Sequence, residues 1–274
     1  MRRGLTPFTV FALVAGFLFL YLPIAIVVVY SFNDSTLVVA WGGWSLRWYR
    51  GLPANANLVD ATLVSLAIAA LSATAATVVG TLAAIVLTRV RRFRGRMTVA
   101  SLVYAPLVMP DIIIGIALLL LFVAVDADRG MWTIAVAHTV LTMSFAAVVV
   151  QARLATFDTS LEEAAMDLGC PPLKTFLTVT LPLIWPALGA AWMLAFTQSL
   201  DEVVIANFVT GAGTRTLPIY IYDQAHTGVK PEINAVCTVW MIVVAIAVAC
   251  ASVLIRRSQA GQERTAALAA MPSS

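Results

Sequence analysis

The chain has 274 residues, of which 61% are hydrophobic and 11% charged, where a soluble domain carries about 25% charged residues. So few polar groups cannot cover a water-exposed surface. This excludes an ordinary cytosolic enzyme, a disordered chain and a nucleic-acid-binding module, and leaves a polytopic membrane protein. The formal net charge is +3 and mean hydropathy is +0.93. Cys170, Cys237 and Cys250 have no metal-ligand spacing and imply no disulfide framework.

Charged residues divide the chain into six apolar stretches, residues 5–33, 61–88, 97–125, 130–152, 175–200 and 233–255. A helix needs roughly 20 apolar residues to cross a bilayer, and each stretch supplies them. Helices are expected because lipid gives the backbone no partners and barrel strands are short and alternating. The first stretch follows Arg2 and Arg3 as a secretory signal would. It runs on to Tyr30 without a small-residue cleavage site, so it is read as a retained span. Placing both termini in the cytoplasm puts twelve of the 17 Lys and Arg residues inside. Five lie outside: Arg47, Arg50, Arg129, Arg215 and Lys230. The positive-inside rule selects this N-in, C-in topology.

Two outer loops are long, about 31–58 and 210–232, and rich in aromatics such as Trp41, Trp44, Trp48, Tyr220 and Tyr222. Two readings stand: interfacial anchoring, or a docking surface for a delivered solute. In the third stretch Asp111 follows Pro106 and Pro110, which remove backbone donors and are expected to break the span. The freed carbonyls and the carboxylate suit a cavity wall. At the end of the fifth stretch Asp201 and Glu202 lie four residues after Thr197 and Gln198, a polar stripe on a helix. A mid-membrane carboxylate costs roughly 2.5–3.5 kcal/mol, so its default reading is functional. All the charge in the predicted spans is acidic, which points to a cationic solute. Asp201 keeps two other readings, pairing with a base on a partner subunit and capping a broken helix. His138 is expected to be a hydrogen-bonded packing residue.

The inner loop between spans four and five, about 153–184, encodes its own helix. Ser160 stands three before Glu163, the capping-box spacing. Leu161, Ala164, Ala165 and Leu168 form one apolar face, Gly169 suits a C′ position, and Pro171 and Pro172 stop continuation. A short amphipathic helix over 161–168 is predicted, followed by a second helical stretch from Pro172 to Leu181. So short a helix must pack on something, either the protein's own helix ends or a groove on a separate cytoplasmic protein.

The spacing Glu163-Ala164-Ala165, Gly169, Val179, Leu181-Pro182 resembles the EAA loop of ABC importer permeases, E-A-A-x3-G-x9-I-x-L-P, with Val179 for the usual Ile. The resemblance implies a coupling helix that docks into the cleft of an ATPase subunit, with Glu163, Ala164, Ala165, Gly169, Leu181 and Pro182 as coupling residues. Glu163 either closes the capping box or also pairs with the ATPase.

A wider resemblance, over about residues 5–257, is to polyamine importer permeases, most of all the second permease subunit of putrescine/spermidine systems. It is carried by residues 30–35, 44–49, 109–115, 199–211, 216–220 and 228–235. The family often has P-E where this chain has Pro110-Asp111, and S-L-D-D where it has Ser199-Leu200-Asp201-Glu202. Both departures keep the charge and leave the particular polyamine open.

The resemblance implies an all-α integral membrane protein of a bacterial inner membrane, with a permease domain over 1–257 and a flexible cytoplasmic tail over 258–274. It further implies a second homologous permease, two copies of a cytoplasmic ATPase that bind ATP-Mg, and a periplasmic polyamine-binding protein. Asp201, Glu202 and Asp111 would line the substrate path. The chain has no G-x-x-x-x-G-K-[ST] sequence and no H-E-x-x-H. It is therefore expected to hold no cofactor or metal and to catalyse nothing itself. Permeases for iron, thiosulfate or phosphonates share the scaffold. An ion-coupled secondary transporter would need internal repeats and more spans.

Overall fold

Among the described residues of the computed structural model (6–37, 40–90, 92–227, 231–246 and 249), all regular elements are helices; the one β feature is an isolated bridge, Asn33 to Trp44. The chain divides into two units, residues 1–56 with 223–274, and residues 57–222.

The first unit begins with α1 (Pro7–Tyr30), started by Thr6, whose Oγ1 accepts the Thr9 N–H at 3.3 Å. It is apolar all round and none of its residues is buried. Lipid is the medium that such a surface requires. The loop after it is folded around Asn33, which is 1% exposed. Asn33 Nδ2 donates to the Ala40 carbonyl at 2.7 Å, and its Oδ1 accepts the Gly42 N–H at 2.7 Å. Trp48 Nε1 donates to the Asn33 carbonyl at 2.7 Å. Tyr30, Trp41 and Trp44 stack edge to face, and Phe32 lies against Trp44 and Tyr49. The short helix α2 (Arg47–Gly51) follows. The aromatics of this loop are thus a built cluster. The unit also contains an apolar helix, Glu232–Ile246, and Glu232 Oε1 accepts from Asn55 Nδ2 at 2.9 Å. The rest of the sixth predicted span, its terminal arginines, Cys250 and the 258–274 tail lie outside the described residues.

The second unit holds most of α3 (Ala56–Arg89), then α4 (Arg96–Val108), α5 (Asp111–Ala124) and α6 (Met131–Ala155). α7 (Ser160–Asp167) and α8 (Pro172–Thr175) come next, then a π-helical turn (Phe176–Thr180), α9 (Leu181–Asp201) and α10 (Val204–Val209). The start of α11 (Leu217–Thr227) closes it. α6 is the most buried of the long apolar helices and packs against α4, α9 and α10. Its seam with α3 is made of small residues: Gly80 and Ala84 face Ala146 and Ala147, while Ala73 and Ala76 further along α3 pack with Ala195 of α9. A Cβ on Gly80 would stand 2.7 Å from the Met143 carbonyl oxygen, so only glycine lets the backbones come this close. Buried polar groups tie the spans together. Ser72 Oγ bonds Ser199 Oγ at 2.9 Å and His138 Nδ1 bonds the same hydroxyl at 2.7 Å, joining α3, α6 and α9. His138 is 1% exposed, a packing residue as its position in the sequence suggests.

Among the described residues four helices are long and apolar enough to cross a membrane: α1, α3, α6 and the continuous helix Pro172–Asp201. α4 and α5 form a fifth, broken pair bent by 119°. The break falls at Met109 and Pro110; Pro106 stays inside α4, so the second proline alone ends that helix.

Candidate functional site

Two places gather the residues singled out in the sequence. The first is α7 and its flanks. Asp158 Oδ1 accepts the Ser160 N–H at 3.0 Å, and hydrogen bonding from the Ser160 side chain, then from its backbone, holds the exposed carboxyl below the usual carboxylate range. The turn makes Thr159 the N-cap, one residue earlier than the capping-box spacing requires, and no side chain closes the cap. Glu163 is therefore exposed and not engaged at the helix start. Glu162 and Glu163 still lie in the first turn, where the helix dipole favours them.

The other end of α7 forms a Schellman motif. Gly169 has φ +84°, its N–H bonds the Met166 carbonyl at 2.9 Å, and the Cys170 N–H bonds the Ala165 carbonyl at 3.1 Å. The helix buries none of its residues. The expected apolar face is left open: Ala165 is half-buried, Ala164 is exposed, and Leu161 and Leu168 are 47% and 90% exposed. Leu173 and Leu177 extend this greasy surface onto the next elements. Pro182 sits in the first turn of α9, and Leu181 packs against the Ile184–Val150 core. The helical stretch from Pro172 does not stop at Leu181, as the sequence suggested, but runs through the π turn into α9.

Glu162 is the side chain of α7 turned toward the body. Its Oε1 accepts from Arg89 Nη2 at 2.8 Å and from the Thr180 hydroxyl. The Arg89 guanidinium lies 5.2 Å above the Phe157 ring. Sequence reasoning counted Arg89 only as an inner positive charge and missed Thr180 and Phe157. The pairing spans 73 residues of chain, and no local spacing announces it.

The second place joins two helix breaks. Asp111 opens α5 directly after the kink. Asp201 is the last residue of α9, and Glu202 leaves the helix with ψ 107°. Glu202 Oε1 accepts the Ile205 N–H at 2.9 Å and so caps α10. The capping reading considered for Asp201 thus falls to its neighbour. Because Glu202 has left α9, it does not continue the expected stripe with Gln198, and Thr197 Oγ1 bonds the Met193 carbonyl instead of reaching Asp201. Asp111 and Asp201 both lie within electrostatic range of Glu202. α5 and α10 meet at Gly115, where a Cβ would stand 2.7 Å from the Phe208 ring. The kink before α5 and the end of α9 therefore bring three carboxylates to one neighbourhood.

The family described as "Binding-protein-dependent transport system inner membrane component" matches residues 76–265. The chain belongs to this family. Among the most similar relatives is the putrescine transport system permease protein PotI of Escherichia coli (strain K12), 51% identical over 239 residues, 85% of each chain. Another is the spermidine/putrescine transport system permease protein PotC of the same strain, 39% identical over 89% of this chain and 92% of that one. The fold is also that of solved transporters. A bacterial ABC transporter involved in the import of alginate gives a TM-score of 0.69 at 18% identity, over 90% of this chain and 93% of that one. The methionine transporter MetNI gives 0.64 at 23% identity, over 75% and 97%. As a member of the inner-membrane-component family, the chain is a translocation subunit of an importer. In it the bent α4–α5 pair and the exposed α7 are parts of a permease.

Proposed function

We propose that this permease forms half of the pathway for a cationic polyamine, such as putrescine or spermidine, in the inner membrane of a bacterium. The observation that carries the substrate class is the meeting of Asp111, Asp201 and Glu202 at two helix breaks. The polyamine permeases among its relatives support the same reading. Carboxylates replace the water that an ammonium group loses on leaving the aqueous phase. A second, homologous permease completes the pathway. A periplasmic polyamine-binding protein delivers the solute to the outer loops.

The chain crosses the membrane six times with both termini inside, which places α7 in the cytoplasm. Each of two cytoplasmic ATPase subunits binds ATP-Mg and grips one coupling helix, so no hydrolysis occurs in this chain. Glu163 and Ala164 face that ATPase beside the open Leu161 and Leu168. Ala165 keeps the helix low, Gly169 ends it sharply, and Leu181 with Pro182 joins it to the fifth span. ATP-driven closure of the ATPases moves α7 and switches the spans between outward and inward access.

The test is uptake of labelled putrescine into vesicles holding the whole complex. Uptake should require ATP, stop with vanadate and survive a proton uncoupler. Asp201→Asn should lower it about tenfold, equivalent to about 1.4 kcal/mol, while the complex still assembles. Unchanged uptake by that variant would remove Asp201 from the path.

A further inference from the structure

We propose that Glu162, the neighbour of the motif glutamate, is a positioning residue of the transport cycle: it is the point through which movement of α7 enters the membrane-spanning helices. The proposal rests on the importer reading above. Helical geometry turns adjacent residues about 100° apart, so Glu162 and Glu163 face different ways. Glu163 is exposed, whereas the Glu162 side chain is 19% exposed and directed at the body.

One oxygen, Glu162 Oε1, holds both partners. Arg89 is the last residue of α3, and Thr180 ends the π turn that leads into α9. A single side chain of the coupling helix is therefore bonded both to the end of α3 and to the π turn that leads into α9. Arg89 arrives oriented, because its guanidinium lies over Phe157 and its charge sits at a helix C-terminus. Thr180 is 2% exposed, so its hydroxyl has little water to turn to.

The surroundings distinguish a moving joint from a static brace. α7 buries no residue, so apolar packing does not hold it to the body. Beneath it is a hollow of about 380 Å³ lined by Ile85, Leu154, Met166 and Phe176 with the Arg89–Glu162 pair. A helix that buries no residue and is tied by directional polar bonds is held mainly by those ties, and they pull on whatever they are bonded to. The π turn beside the joint is the kind of local irregularity that helices use at functional sites. A partly exposed ion pair contributes little to stability, which leaves transmission as the use that fits its position.

The experiment uses the complete complex in proteoliposomes with the binding protein and labelled putrescine, and reads transport per ATP hydrolysed and ATPase retention. Glu162→Gln should retain the ATPase and hydrolyse ATP but transport about fivefold less per ATP. Thr180→Val, which keeps the shape and removes the hydroxyl, should do the same, and Thr180→Ser should restore coupling. Distance measurements between spin labels on α7 and α9 should show smaller joint displacement in the uncoupled variants. Wild-type transport per ATP in Glu162→Gln or Thr180→Val with the ATPase bound would overturn the proposal. Equal loss in Thr180→Ser would do so too. Failure of the importer reading would show separately, as a wild-type complex that binds no ATPase or transports without ATP.

Discussion

Gly169 shows how one residue ends a helix. Its φ of +84° lies where an L side chain is strained, and a Cβ placed there would touch nothing within 4 Å. The cost of Gly169→Ala is thus a backbone cost alone, about 1–2 kcal/mol. The variant should fray the last turn of α7, which hydrogen exchange would detect at the Leu168, Gly169 and Cys170 amides, while α6 stays protected. Gly211 differs, because a Cβ would stand 1.8 Å from the Arg129 carbonyl oxygen and no side chain fits. Gly169 was legible because a glycine followed by two prolines has one physical meaning at a helix end. The start of the same helix was misread. Asp158, two residues before Ser160, takes the amide first and moves the cap to Thr159. A spacing rule sees Ser160 and Glu163 but not the upstream competitor.

At the scale of elements, the α3–α6 seam and the two breaks decide what this bundle does. Gly80→Ala brings a Cβ within 2.7–3.0 Å of the Met143 oxygen, the Ala147 nitrogen and the Ala146 Cβ. Two of these are backbone atoms and cannot swing aside. The substitution should destabilise by about 1–3 kcal/mol. Thermal unfolding in detergent checks this, with Gly189→Ala in the α9 helix, where nothing lies within 4 Å, as the clash-free control that should hold or raise stability. The four long apolar helices and the bent α4–α5 pair were readable as apolar runs, because lipid permits little else. The kink at Pro110 was readable for the missing donor. The use of Glu202 as the cap of α10 was not, because an acid four residues after Gln198 looks identical whether the helix continues or stops.

For the whole molecule, charge asymmetry gives the orientation to be tested. A reporter fused after Arg257 should be cytoplasmic, and a cysteine placed at Trp44 should react with an impermeant thiol reagent added from the periplasmic side; the opposite pattern would invert the topology. Composition alone conveyed the membrane class, and the seven motif positions from Glu163 to Pro182 conveyed the permease loop. Contacts between distant segments, such as Asn33 within its aromatic cluster or Arg89 with Glu162, were closed to sequence reasoning because their partners are set only when the chain folds.

The 24-residue α1 buries nothing, and its apolar residues point in all directions. A rod without a preferred side makes a poor lever but a good tether, fixed at its Tyr30 end where that ring meets Trp41. It needs only the surrounding acyl chains to be comfortable. During synthesis it can therefore be handed to the bilayer and left there while the ribosome is still making everything that follows.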